Sequence, residues 1–158
     1  MDARRLPYRE EFDLIGAFDV LEHVTEDTEV LAQMRAAVRP GGGILLTVPQ
    51  HPGLWSRLDD EACHKRRYTR RELEGKVFAA GFRTFFATSF VSVLLPAMSV
   101  ARRRKRRPSA SADPLAELRI NGLLGHTLGT LLAAERLCIQ AGVRLPAGGS
   151  LLACAVAR

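Results

Sequence analysis

Residues 12–49 read FDLIGAFDVLEHVTEDTEVLAQMRAAVRPGGGILLTVP, and this stretch decides the fold. Phe12 to Phe18 is short, apolar and rich in residues that suit a buried strand, and it breaks at the acidic run Asp19-Val20-Leu21-Glu22-His23. A helix should follow. Leu31, Met34 and Val38 recur at helical spacing on one face, and Thr25 is the expected cap. Glu26, Asp27 and Glu29 suit the positive end of the helix dipole, and Arg35 and Arg39 the negative end. Pro40 and Gly41 stop the helix, and Gly43 to Val48 reads as a second buried strand. Strand, helix and strand with such tight punctuation make a βαβ crossover, which implies neighbouring parallel strands.

Downstream, Pro49 to Tyr68 is a long irregular segment crowded with reactive side chains. Thr69-Arg70-Arg71-Glu72 is a capping box that opens a helix with Leu73 and Val77 facing inward and Gly81 closing it. Phe82 to Phe90 is the next strand. From Asp113 to Ala141 a helical stretch carries Ile120, Leu124, Leu128, Leu131 and Cys138 on one face, and Glu135 on the same stripe either reaches an acceptor pocket or, the ordinary reading, marks the helix end emerging into water. Gly148-Gly149 turns the chain into a final apolar strand, Ser150 to Ala157.

A chain of 158 residues with 47% hydrophobic content can bury one core, so one domain is expected. Cys63, Cys138 and Cys154 are scattered and odd in number, which reads as reduced thiols in a cytosolic compartment. No signal-peptide core is visible, and no apolar run approaches the roughly 20 residues that span a bilayer. The net charge of +6 is local, because the six cations of Arg102 to Arg107 account for all of it. That run reads as a solvated loop tip, or as a contact with an anionic membrane surface next to Phe90 to Met98. Nucleic acid is disfavoured because no aromatic residues interleave the cations to stack bases.

The run FDLIGAFDVLEHV, followed by L-x-x-M-R-x-x-V-R-P-G-G-G-x-L-L-T-V-P, resembles the second half of class I S-adenosylmethionine-dependent methyltransferases, of the quinone-biosynthesis-like type. The likeness extends through His51 to Ser56 and His64 to Thr69 as far as Ala80-Gly81-Phe82. It implies an α/β, Rossmann-like doubly wound sheet, truncated at the N-terminus and mostly parallel, with an antiparallel last strand. Residues 1–158 would form one partial methyltransferase domain: a sheet half at 1–90, a helical lid or acceptor-facing or membrane-facing insertion at 91–149, and the final strand at 150–158. The family's glycine-rich turn and the acidic residue closing its second strand have no counterpart in residues 1 to 12. Met1 to Pro7 instead resembles the segment after the family's third strand. The first βαβαβ half is therefore expected to be missing, which would leave Phe12 to Phe18 as an unpaired apolar edge.

By the same resemblance the cofactor is S-adenosylmethionine. Asp2 matches the carboxylate that accepts from the adenine amino group, Ala3 the backbone that pairs with the ring, and Phe18 and Asp19 lie beside the cofactor. Methyl transfer from a sulfonium needs an aligned acceptor and, for a hydroxyl, removal of its proton. His51 and His64 are the candidate bases, with Asp59 orienting one of them. Trp55, Arg66, Arg67 and Tyr68 are the candidate acceptor-binding residues, the arginines gripping an acidic or phosphate-bearing group. The alternative is that His64, Arg66 and Tyr68 form a hydrogen-bond cluster that pins the loop. Asp19-x-x-Glu22-His23 would place three ligand atoms on one helical face, as in relatives with an E-x-x-E-H run, but the reading kept is no metal, with the run shaping the pocket floor.

The leading function is methyl transfer to a small or lipid-linked acceptor, in a cytoplasmic protein, peripheral at the inner membrane face if the basic run binds lipid. The chain alone is expected to be inactive or weak. The alternative is a non-catalytic remnant that serves as a binding or scaffolding module at an anionic membrane surface. A nucleotide-dependent dehydrogenase is disfavoured because no G-x-G-x-x-G is visible.

Overall fold

The computed structural model of the chain describes residues 2–105 and 122–158. Four strands form one sheet in the order β1-β2-β4-β3, with β1 Phe12–Phe18, β2 Val38–Pro49, β3 Phe82–Phe90 and β4 Ser150–Ala157. β1 runs parallel to β2, with Leu14 opposite Gly43 and Phe18 opposite Thr47, so the expected crossover is present. β4 is antiparallel to both β2 and β3, so three strands share one direction and the last opposes them.

Helix α1 (Asp27–Ala37) crosses from β1 to β2, a short helix α2 (Arg57–Glu61) follows β2, and α3 (Arg70–Ala79) leads into β3. Alternate residues of β2 (Ile44, Leu46, Val48) and of β4 (Leu151, Ala153, Ala155) line one sheet face, as a period of two requires. Val30, Leu31 and Met34 of α1 and Leu73 and Val77 of α3 close over that face. Each such aliphatic side chain is worth about 1.5–3 kcal/mol when fully buried. Helices α4 (Leu95–Lys105) and α5 (Gly122–Gln140) precede β4. Among the described residues no helix is long and apolar enough to cross a membrane.

Several local expectations are corrected. Thr25 does not cap α1; Glu26 holds that position without a side-chain bond. Pro40 and Gly41 do not end the helix, which stops at Ala37 with Val38 already extended. The reason is tertiary: the amides of Glu10 and Glu11 donate to the carbonyls of Ala36 and Ala37, so the last turn is satisfied by the incoming chain. Arg39 then lies in β2 and pairs with Asp13 rather than with the helix dipole. The segment from Pro49 to Tyr68 is not irregular throughout. It holds a 3-10 turn and α2, which Ser56 and Asp59 open with reciprocal capping bonds, and it closes where Gln50 bridges Tyr68.

β1 is not a buried strand. It forms one edge of the sheet, with Leu14 61% and Phe18 58% exposed. An apolar edge with unpaired backbone groups is a template for further pairing. Leu14→Lys should therefore suppress concentration-dependent association in sedimentation or size exclusion while changing stability by less than about 0.5 kcal/mol, as exposed substitutions usually do.

Candidate functional site

The carboxyl ends of β1, β2 and β3 lie at one edge of the sheet, the edge where ligands bind in open α/β sheets. At or just past each of these ends one non-glycine residue has a positive φ: Asp19 (52°), His51 (62°) and Val91 (58°). Such conformations cost free energy, most for a β-branched residue, and persist where the surroundings enforce them. Close approach is enforced too: a Cβ at Gly148 would collide with the Phe90 carbonyl.

Asp19 is held by Thr47 at the end of β2. Its amide donates to the Thr47 carbonyl (3.0 Å) and to Thr47 Oγ1 (3.1 Å), and Oγ1 donates back to Asp19 Oδ1 (3.3 Å). Phe18 is exposed beside this turn. Asp2 is also exposed; its carboxylate takes bonds from the Arg4 amide and guanidinium, which pull its pKa down to about 2, and Arg4 continues to Glu26 (3.2 Å). Ala3 packs against the core.

The loop after β2 is organised by two buried carboxylates. Asp59 accepts from Arg67 Nε (2.7 Å) and Nη2 (3.1 Å), faces His64 Nδ1 (3.0 Å), and takes the Ser56 amide (2.8 Å). Burial alone would raise its pKa, but the bonds from Arg67 and His64 outweigh it and hold the carboxyl below its ordinary value. Asp27, at the start of α1, accepts from Tyr68 Oη (2.7 Å), Arg66 Nη1 (3.1 Å) and Lys76 Nζ (2.5 Å). Here again burial opposes, and Lys76, Tyr68 and Arg66 prevail in keeping the carboxyl low. Burial, and then Asp27, push the Tyr68 hydroxyl upward.

Among the expected acceptor-binding residues, Arg67 and Tyr68 are therefore buried and fully engaged with Asp59 and Asp27, and Arg66 is tied to Asp27 and the Thr25 carbonyl. These internal bonds fit the alternative in which the cluster pins the loop, since each guanidinium is already engaged on a carboxylate of the chain. Trp55 stays partly exposed, its Nε1 donating to Asp60 (3.0 Å). His51 and His64 are not paired with one another. The His51 Nε2 is buried and without a hydrogen-bond partner, whereas Asp59 orients His64.

A cavity of about 430 Å³ with apolar walls lies between Thr47, Phe90 and Leu152 of the sheet and Leu132, Glu135 and Ile139 of α5. Glu135 anchors α5 there: it is 8% exposed and accepts from the amides of Val91, Ser92 (2.8 Å) and Val93 (3.2 Å). This overturns the expectation that Glu135 emerges into water. The inward stripe of α5 is Leu128, Leu132, Glu135 and Ile139, with Leu131 and Cys138 exposed; residues 113–121 of the expected stretch lie outside the described residues. Glu135→Ala should loosen this anchor by about 2 kcal/mol, read as faster exchange of the Val91, Ser92 and Val93 amides. The side chains of Arg102 to Arg107 lie outside the described residues.

Thr47, Asp27 and the anchoring role of Glu135 were missed from sequence. For Asp27 a signal existed, because Asp27, Val30, Leu31 and Met34 share one helical stripe, and a carboxylate on an apolar stripe must find partners. Glu22, weighed with Asp19 and His23 as a metal-ligand candidate in a run read as shaping the pocket floor, is fully buried, and neither carboxylate oxygen accepts a bond from another residue. Burial, and to a lesser degree Asp19, push its pKa up to about 7.

A family model described as a methyltransferase domain matches residues 3–85, just over half of the chain. No curated protein sequence matches. Solved structures share the fold over 99% of this chain. They include phosphoethanolamine N-methyltransferase 2 of Haemonchus contortus with S-adenosyl-L-methionine (14% identity, TM-score 0.57, 36% of that chain). A methyltransferase activator complex from Haloferax volcanii matches at 14% identity and TM-score 0.60 over 59% of its chain. An S-adenosylmethionine-dependent methyltransferase from Mesorhizobium loti matches at 16% identity and TM-score 0.56 over 67% of its chain. The present chain thus spans between 36% and 67% of the length of these three. With a family model that matches just over half of the chain and a β1-β2-β4-β3 sheet that agrees with the fold of these structures, the chain belongs to the methyltransferase domain family.

Proposed function

We propose that this chain supplies the acceptor-side half of an S-adenosylmethionine-dependent methyltransferase acting on a small or lipid-linked molecule. The observation that carries the reading is the double role of Thr47, which ties the Asp19 turn in place and also lines the apolar cavity under α5. Cofactor side and acceptor side would meet at that residue, as in-line transfer requires. Asp2, Ala3, Phe18 and Asp19 would contact the adenosyl group. An apolar acceptor would enter the cavity with α5 as its lid, and His51, with its unbonded Nε2, would take the proton of an acceptor hydroxyl.

The test is amide-resolved NMR with S-adenosylhomocysteine. Weak binding is expected, with shifts at Ala3 and at Phe18 to Leu21 that disappear in Asp19→Ala. Absence of shifts there at millimolar ligand, or shifts confined to α3, would refute the placement.

A further inference from the structure

The cavity under α5 has a charged rim that its apolar walls do not require. Thr47 and Leu152 line it, and along their strands they alternate with the residues that face α1 and α3, so the cavity lies on the opposite face of the sheet. From α5, Leu132, Glu135 and Ile139 reach it together with Arg136 and Gln140, at the spacing of one helical stripe. An apolar hollow of about 430 Å³ is filled most favourably by an apolar body, and at this size by one tail or ring system rather than two.

Glu135 and Arg136 are the only Asp, Glu, Lys or Arg residues of α5, and they are used differently. Glu135 is buried and gives both carboxylate oxygens to the amides of Val91, Ser92 and Val93. Arg136 is exposed, and among the described residues no carboxylate pairs with it. Because the walls are apolar, Arg136 meets the cavity through its methylene stem and keeps its guanidinium in water at the mouth. Gln140 is its neighbour one turn later, also exposed. On the sheet wall, Thr47 is bonded to Asp19, whose carboxylate would repel an anion. Attraction and repulsion for a negative group thus belong to opposite walls.

We infer that the cavity takes a single-chain amphiphile with an anionic oxygen head, a carboxylate or a phosphate. Its apolar body lies between Leu132, Ile139 and Leu152, and the Arg136 fork holds its head at the mouth. As an acceptor class this rests on the methyl-transfer reading; as a ligand class it rests on the cavity alone. The anion is then the handle of the molecule and not its methyl acceptor, which has to stand at the Thr47 side.

Calorimetry on the full chain, with ligands below their micellar concentrations, is the test. Octanoate and octyl phosphate should each bind once per chain and about tenfold tighter than octanol, the low end for a bond to a charged group. Octyltrimethylammonium should bind more weakly than octanol. From hexanoate through octanoate to decanoate each buried methylene should tighten binding about fourfold, and acetate should show no binding. Arg136→Gln, at an exposed position, should bring octanoate level with octanol while leaving octanol unchanged. Arg71→Gln, equally exposed but on α3 across the sheet, should change neither. The inference is overturned if wild type does not prefer octanoate to octanol, if the preference survives Arg136→Gln or is lost in Arg71→Gln, or if affinity does not rise with tail length. Arg136-dependent binding in a chain whose Ala3 and Phe18 to Leu21 amides ignore S-adenosylhomocysteine would uphold the ligand class and remove only its role as acceptor.

Discussion

Asp27→Ala should cost about 3–5 kcal/mol, the range for breaking a buried ion pair by removing one partner. The carboxylate side chain is only 4% exposed and carries three donors, so its removal leaves the Tyr68 hydroxyl with the Leu21 carbonyl (3.2 Å), Lys76 with the more exposed Glu72 (3.5 Å), and Arg66 with the Thr25 carbonyl and no counter-charge. Against a typical domain stability of about 5–15 kcal/mol this is a large share. Urea unfolding at neutral pH measures it, and an unchanged midpoint would refute the hub. The same carboxyl sets a pH dependence. Its pKa is lowered in the folded chain from 3.8, so its contribution is fully present above that value and is lost as pH falls through the lower, folded value. Wild type should therefore lose stability steeply below about pH 4, and Asp27→Ala should lose less over the same interval.

Arg67→Met should cost about 3 kcal/mol or more, because Asp59 would stay buried at 1% exposure with the bidentate guanidinium gone. Arg67 Nη1 also holds the Gln50 carbonyl (3.2 Å), so the junction of β2 with its loop should open. The readout is exchange of the Tyr68 amide, which donates to the Pro49 carbonyl (2.9 Å), together with the unfolding midpoint. Were Arg67 an acceptor-gripping group, stability would be unchanged and only acceptor affinity would fall. Arg67→Lys should sit between, since an ammonium keeps the charge and loses the fork.

These two residues mark where a linear reading succeeds and where it stops. The crossover from Phe12 to Val48, the capped helix from Thr69 and the existence of the last apolar strand were legible, because periodicity and caps are properties of neighbours in sequence, and the family resemblance supplied that strand's antiparallel direction. Thr69 does accept from the Glu72 amide, as its spacing predicts. The Pro40-Gly41 helix stop failed because the amides of Glu10 and Glu11, from outside the helix, satisfy the carbonyls of its last turn. Arg66, Arg67 and Tyr68 looked like a substrate grip because their chemistry suits one. Their partners, Asp27 and Asp59, lie 39 to 41 and 8 residues away in the chain, and only the fold shows that these charges cancel internally. Glu135 was misjudged likewise, its partners being three amides more than forty residues upstream.

By itself, then, the order of residues determined a parallel strand pair joined by a helix, the family to which that pair points, and an apolar border strand. The strand pair follows from short-range patterning, which a chain expresses before it is packed, whereas the family and the border position of Phe12 to Phe18 follow from the resemblance. The tertiary structure alone decided which carboxylates are structural anchors and which is left alone, Glu22 facing His23 and His64, because burial and counter-charge belong to pairs of segments and to no single one.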